Sequence, residues 1–73
     1  MATQIVMDHT GDTRHEFSTD DAAAVMTAEE RFKMLTGLGF TAAVRSDAGE
    51  TFVIRSFNPT AEETLFFPRI VGG

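Results

Sequence analysis

No cysteine stands anywhere in these 73 residues, and for a chain this short that is the strictest constraint on its fold. A domain of this size buries only about 60% of the surface its unfolded chain exposes. Small domains often make up the shortfall with disulfides or a cysteine-ligated zinc. Neither is open here, so hydrophobic burial must hold the chain by itself. Seven phenylalanines supply much of the material, in a sequence that is 42% apolar and 23% charged. That balance belongs to an ordinary globular domain rather than a disordered segment, and the length suits one domain.

The formal charge of −5 opposes sequence-independent attachment to nucleic-acid phosphates and to anionic lipid surfaces. Neither nucleic acid nor membrane is therefore expected as a partner. The longest apolar stretches, such as Leu65-Phe66-Phe67, are too short to span a bilayer. The opening Met1-Ala2-Thr3-Gln4 lacks the basic start and apolar run of a secretory signal. These features make a cytoplasmic location the expectation.

Residues 4–8, Gln-Ile-Val-Met-Asp, read as a first strand, and residues 9–12 as a turn in which Gly11 takes positive φ. Residues 13–17 return as a second strand, polar except at Phe17, as suits a sheet edge. Thr19 with Asp20 and Asp21 marks a helix start. Val25, Ala28, Phe32 and Leu35 then form a helical stripe, opposite the polar Glu29, Glu30 and Lys33. Thr27 to Glu30 is a further capping box, at which the helix could restart. Gly37 and Gly39 end it.

A third strand is expected over residues 40–45, a turn over 46–49 and a fourth strand over 50–57. In that strand Phe52 and Ile54 share one face, and Val53, Arg55 and Phe57 the other. Asn58-Pro59 breaks it, and Thr60 to Glu63 reads as one short helical turn. Residues 64–67 form a last strand that is apolar on both faces. One of Phe66 and Phe67 must therefore point away from the helix. The expected architecture is α+β: a mixed sheet of four to five strands, first and last parallel neighbours, with one main helix on one face.

Catalysis by the chain itself is not expected, for it has no cysteine, no nucleophile elbow and no phosphate loop. Glu29-Glu30 and Glu62-Glu63 are adjacent in sequence and so diverge on a helix. His9 and His15, with Asp8, Asp12 and Glu16, match no recognised metal loop, so neither metal nor cofactor is expected. The partner surface is expected on the sheet face the helix leaves open. There Arg45, Arg55 and Arg69, from three neighbouring strands, would rim Phe66 or Phe67.

Taken together, this order of elements resembles ubiquitin and the small sulfur carriers of molybdopterin and thiamine synthesis, and it extends to bacterial ubiquitin-like modifiers. The hairpin with Gln4-Ile5 and Thr10-Gly11-Asp12-Thr13 is similar to ubiquitin's opening hairpin. Thr64-Leu65 running out to Gly72-Gly73 resembles ubiquitin's end. Phe66-Phe67-Pro68 followed by Gly72-Gly73 has the spacing of the molybdopterin-synthase small subunit, with Arg69 where that family usually has a second proline. Ubiquitin's several lysines are reduced to Lys33.

The resemblance implies a ubiquitin-like β-grasp domain over residues 1–68 and an extended Gly-Gly tail over residues 69–73. It implies that Gly73, behind Gly72, is adenylated by an E1-like adenylating enzyme that uses ATP, and is then passed to a target protein. An E2-like enzyme and a JAB-type peptidase are further implied partners, with the chain itself a monomer. Arg69, Ile70, Val71, Phe66, Arg45 and Arg55 would contact the partner, and Lys33 is the candidate acceptor lysine. A sulfur carrier ending in a thiocarboxylate is the alternative, and a non-covalent β-grasp interaction module a third. Glycine fits the tail because a residue without Cβ can thread a narrow channel. Residues 69–73 fully extended reach about 17 Å.

Overall fold

The computed structural model describes residues 1–68; residues 69–73, and with them the expected roles of Arg69, Ile70, Val71, Gly72 and Gly73, lie outside the described residues. The elements are β1 (Ala2–Asp8), β2 (Gly11–Phe17), α1 (Ala22–Gly37), β3 (Phe40–Arg45), β4 (Thr51–Ile54) and β5 (Glu63–Pro68). They make a mixed α+β domain: one five-stranded sheet in the order β2-β1-β5-β3-β4, with α1 against one face. β1 and β5 run parallel, as the sequence predicts, and the other pairs are antiparallel. No helix among the described residues is long and apolar enough to cross a membrane.

The first hairpin closes on only two residues, His9 and Thr10, between the paired Asp8 and Gly11. Asp8 explains the tightness: its carboxylate accepts from both the backbone N–H and the hydroxyl of Thr10. The same bonds hold the Asp8 carboxyl below its ordinary pKa. Gly11 starts β2 at φ 123°, a conformation that side chains disfavour.

The helix begins later than its sequence signals suggest. Asp21, not Thr19, is the N-cap, its carboxylate accepting from the N–H groups of Ala23 and Ala24 at 3.0 and 3.2 Å. No restart occurs at Thr27, whose hydroxyl instead donates to the carbonyl of Ala23 inside one continuous helix. Three alanines entering the helix favour its first turn strongly enough to make the second capping box redundant. At the other end Gly39 takes φ 101° and turns the chain into β3.

Two other expectations need correction. β4 stops at Ile54 instead of running to residue 57. The bend at Arg55-Ser56 redirects Phe57, which joins the core against Phe32 with ring centroids 5.9 Å apart. The short helical turn expected from Thr60 is absent. Asn58 accepts from the Thr60 N–H at 3.0 Å and from its hydroxyl, so a side-chain-closed turn replaces it.

The core lies between α1 and the sheet. Phe32, Leu35, Ala42 and Phe66 form its larger cluster, and Ala2, Phe17 and Ala28 a second one joined to it through Phe57. Phe66 has no exposed surface and meets Phe32 edge-on, with ring centroids 5.7 Å apart. Among the described residues, Gln4 is the one large polar side chain buried with them at 0% exposure. Its amide donates to the carbonyl of Ala28 at 2.9 Å and accepts from Arg31 Nη1 at 2.8 Å, which ties β1 to the middle of α1. A buried amide is stable only when so satisfied.

Truncating Phe66→Ala is expected to cost about 3–5 kcal/mol, the range for a fully buried ring. Val53→Ala, at an exposed sheet position, should cost less than about 1 kcal/mol. Urea unfolding of the two variants beside the parent chain checks the contrast; equal losses would contradict the assignment of Phe66 to the core.

Candidate functional site

Register fixes what the sheet presents on the face away from α1. Residues directly paired across strands share a face. Phe66, Ala42, Val6 and Ile54 pack with the helix, so their sequence neighbours Leu65, Phe67, Ala43, Ile5, Met7 and Val53 point outward. One apolar row crosses the outer face: Ile5 on β1, Leu65 on β5, Ala43 on β3 and Val53 on β4, with Arg14 on β2 at its end.

Most of that row is already covered. Ile5, Leu65 and Ala43 are 6%, 7% and 0% exposed. Three neighbouring strands crowd these central positions, so their side chains shield one another. The apolar groups left for contact are Met7 and Phe67, both half-buried, and the exposed Val53. Phe67 pairs with Thr41. Met7 stands on β1 in the direction of Phe67, and Pro68 closes β5 immediately after it, paired with Phe40. Met7 and Phe67 thus stand toward the Pro68 end of the sheet, and Val53 stands level with Leu65 at the β4 edge.

The expected contact residues divide. Phe66 turns inward and is wholly buried, so the outward position passes to Phe67. Arg45 and Arg55 do not stand together, because β3 and β4 run antiparallel. Arg45 lies opposite Thr51 at the far end of the sheet, where it pairs with Glu63 at 3.3 Å. Both partners are substantially exposed, and such a pair adds little stability. Arg55 follows Ile54 at the tail-side end and lines a shallow cavity of about 420 Å³ with Phe40, Thr41 and Val53. Arg14 is a rim cation that the sequence reading did not single out. Strand parity could have found it only after the register of β1 was known, because β1 carries apolar residues on both faces.

Lys33 projects from the helix side, 74% exposed, with Glu29 one turn earlier at 4.0 Å. His9 sits exposed in the first turn, whereas His15 lies beside Gln4 on the helix-facing side of β2. Burial lowers the pKa of His15, and the nearby Arg31 charge lowers it further. Among the described residues no group of three or more His, Asp or Glu side chains is arranged to hold a metal ion. Comparison of the chain with protein-family models, with curated proteins and with solved structures finds no match.

The His15 shift gives a stability prediction. A histidine whose folded pKa is depressed is neutral by preference in the native state, so the unfolded chain binds the proton first as pH falls. Its contribution is complete above the unfolded value of 6.5 and declines below it. The difference in urea stability between pH 7.5 and 5.5 should therefore be smaller in His15→Gln than in the parent chain. An unchanged difference would contradict the coupling of His15 to the β2–α1 seam.

Proposed function

We propose that this chain is a ubiquitin-like β-grasp protein, a modifier whose Gly73 carboxylate is activated by an E1-like adenylating enzyme and transferred to a target. The carrying observation is the position of β5: it lies at the centre of the mixed sheet and leads directly into Phe67-Pro68 and the Gly72-Gly73 end. A strand held on both sides gives the tail a fixed base. The parallel β1–β5 pair and single covering helix support the β-grasp reading.

The chemistry follows from the terminal carboxylate. Its oxygen attacks the α-phosphorus of ATP on the partner and displaces pyrophosphate, leaving an acyl adenylate. A partner thiolate then attacks the Gly73 carbonyl and expels AMP, giving a thioester. A target amine attacks that thioester, the amide bond forms, the amine loses its proton to solvent and the thiol is released. ATP and the thiol belong to the partners, since the chain carries no cysteine. An E2-like enzyme would carry the thioester, and a JAB-type peptidase would reverse the attachment. The partner docks on Met7, Phe67 and Val53, with Arg14 and Arg55 as the polar rim. With Lys33 the sole lysine, single attachment is favoured over long chains.

A second reading, favoured by the Phe66-Phe67-Pro68 spacing, is a sulfur carrier. There a persulfide of a sulfur-donor protein displaces AMP, and reduction by a thiol leaves Gly73 as a thiocarboxylate.

Intact-mass measurement after co-expression with the neighbouring genes separates the readings. A ladder of heavier species containing this chain supports the modifier. Replacement of one terminal oxygen by sulfur supports the carrier. Deleting Gly73 should abolish whichever product forms. If that deletion changes neither mass species nor activity, both covalent readings fail and a non-covalent interaction module remains. Phe67→Ala should weaken partner-dependent product formation about tenfold, as loss of a central aromatic contact does, while the fold persists by circular dichroism.

A further inference from the structure

The two edges of the sheet are built differently. β2 presents Asp12, Arg14 and Glu16 to solvent along its length, and charge of this kind discourages strand addition. β4 reads Thr51-Phe52-Val53-Ile54, with no charged residue. Phe52 and Val53 are 50% and 67% exposed on opposite faces of the sheet. Immediately beyond the strand lies the cavity of about 420 Å³, where Ile54 is joined by Thr36, Phe40 and Ala42 from the helix side.

We propose that β4 pairs antiparallel with β4 of a second copy of this chain, about a two-fold axis through Val53. In this register Val53 meets its own counterpart on the outer face. On the helix side Phe52 lies opposite Ile54 of the other copy, and the same contact occurs twice. Each exposed Phe52 ring therefore meets the cavity that Ile54 lines in its neighbour. A knob and a matching hole on one patch are what an isologous interface requires.

One step further out, Arg55 stands opposite Thr51 and next to Glu50 of the other copy, so unlike charges adjoin and no like pair is opposed. A one-residue slip would place Phe52 and Ile54 on opposite faces and lose both contacts. The sheet then continues across both copies. Because β4 and β5 run in the same direction, the two β5 strands are antiparallel in the pair and their ends leave on opposite sides. Met7 and Phe67 are untouched, whereas Val53 and Arg55 serve both contacts, so this pairing would compete for part of the partner surface proposed above. A four-residue strand buries less than the roughly 1,200 Å² of a stable interface. The chain is accordingly monomeric when dilute and pairs in concentrated solution.

The absence of cysteine makes the test clean. Val53→Cys places one thiol on the axis, within disulfide reach of its counterpart. Ala48→Cys places one in the exposed β3–β4 turn, off the axis. Under mild oxidation the Val53→Cys chain should dimerise about tenfold faster, as pre-association raises effective concentration. Sedimentation of the parent chain should show an average mass that rises with concentration. Val53→Lys, folded by circular dichroism, should stay at the monomer mass, because two ammonium groups would meet on the axis. Equal oxidation rates overturn the pairing and leave the edge to a strand of another protein. A constant monomer mass of the parent chain, or a rise that Val53→Lys does not remove, also overturns it.

Discussion

The structure depends on β5. Remove it from the order β2-β1-β5-β3-β4 and the sheet falls into two separate hairpins, joined only through α1. Isolated hairpins are marginal in water, and a third strand or a covering helix is what gives them stability. Phe66 supplies the hold. It sits at the middle of β5 with no exposed surface, and its ring meets Phe32 of α1 edge-on. Both halves of the sheet, and the helix above them, therefore close on one side chain. In a chain without cysteine no covalent link shares that task.

The same strand sets the geometry of the candidate site. Alternation along β5 sends Phe66 inward and Phe67 outward, so the residue before Pro68 is a half-buried continuation of the best-buried part of the fold. Central strands crowd their outer face, and Ile5, Leu65 and Ala43 are used up in covering one another. What remains accessible is Met7 and Phe67 toward Pro68, and Val53 at the β4 edge. In the proposed function, a partner would read this face together with the Gly-Gly end that follows β5 in the sequence.

Much of the fold was legible because periodicity and turn chemistry agree with it. The Val25, Ala28, Phe32, Leu35 stripe is the helix, and Gly11 and Gly39 take the positive φ their turns need. What was not legible was settled by local bonding in one place and by tertiary contact in others. Asp21 displaced Thr19 as the cap, and Phe57 left its expected face once the chain bent at Arg55-Ser56. Gln4 gave no local sign of its bonds to Ala28 and Arg31, since their partners are more than twenty residues away. The arginine cluster failed for a related reason: antiparallel register places Arg45 and Arg55 at opposite ends, which composition cannot reveal. The Gly-Gly end was read as a motif alone; it lies outside the described residues and its role is a proposal.

The central claim, that Gly73 is joined to other proteins, has a direct readout in the sequence itself. Trypsin cleaves after Arg69, so every conjugated target digested with it retains Ile70-Val71-Gly72-Gly73 on the acceptor amine. Peptide mass spectrometry of host proteins should find lysines carrying that four-residue branch, and should lose them when Gly73 is deleted from the gene. The branch missing from host proteins, with the chain recovered only as free carboxylate or thiocarboxylate, would contradict the modifier account.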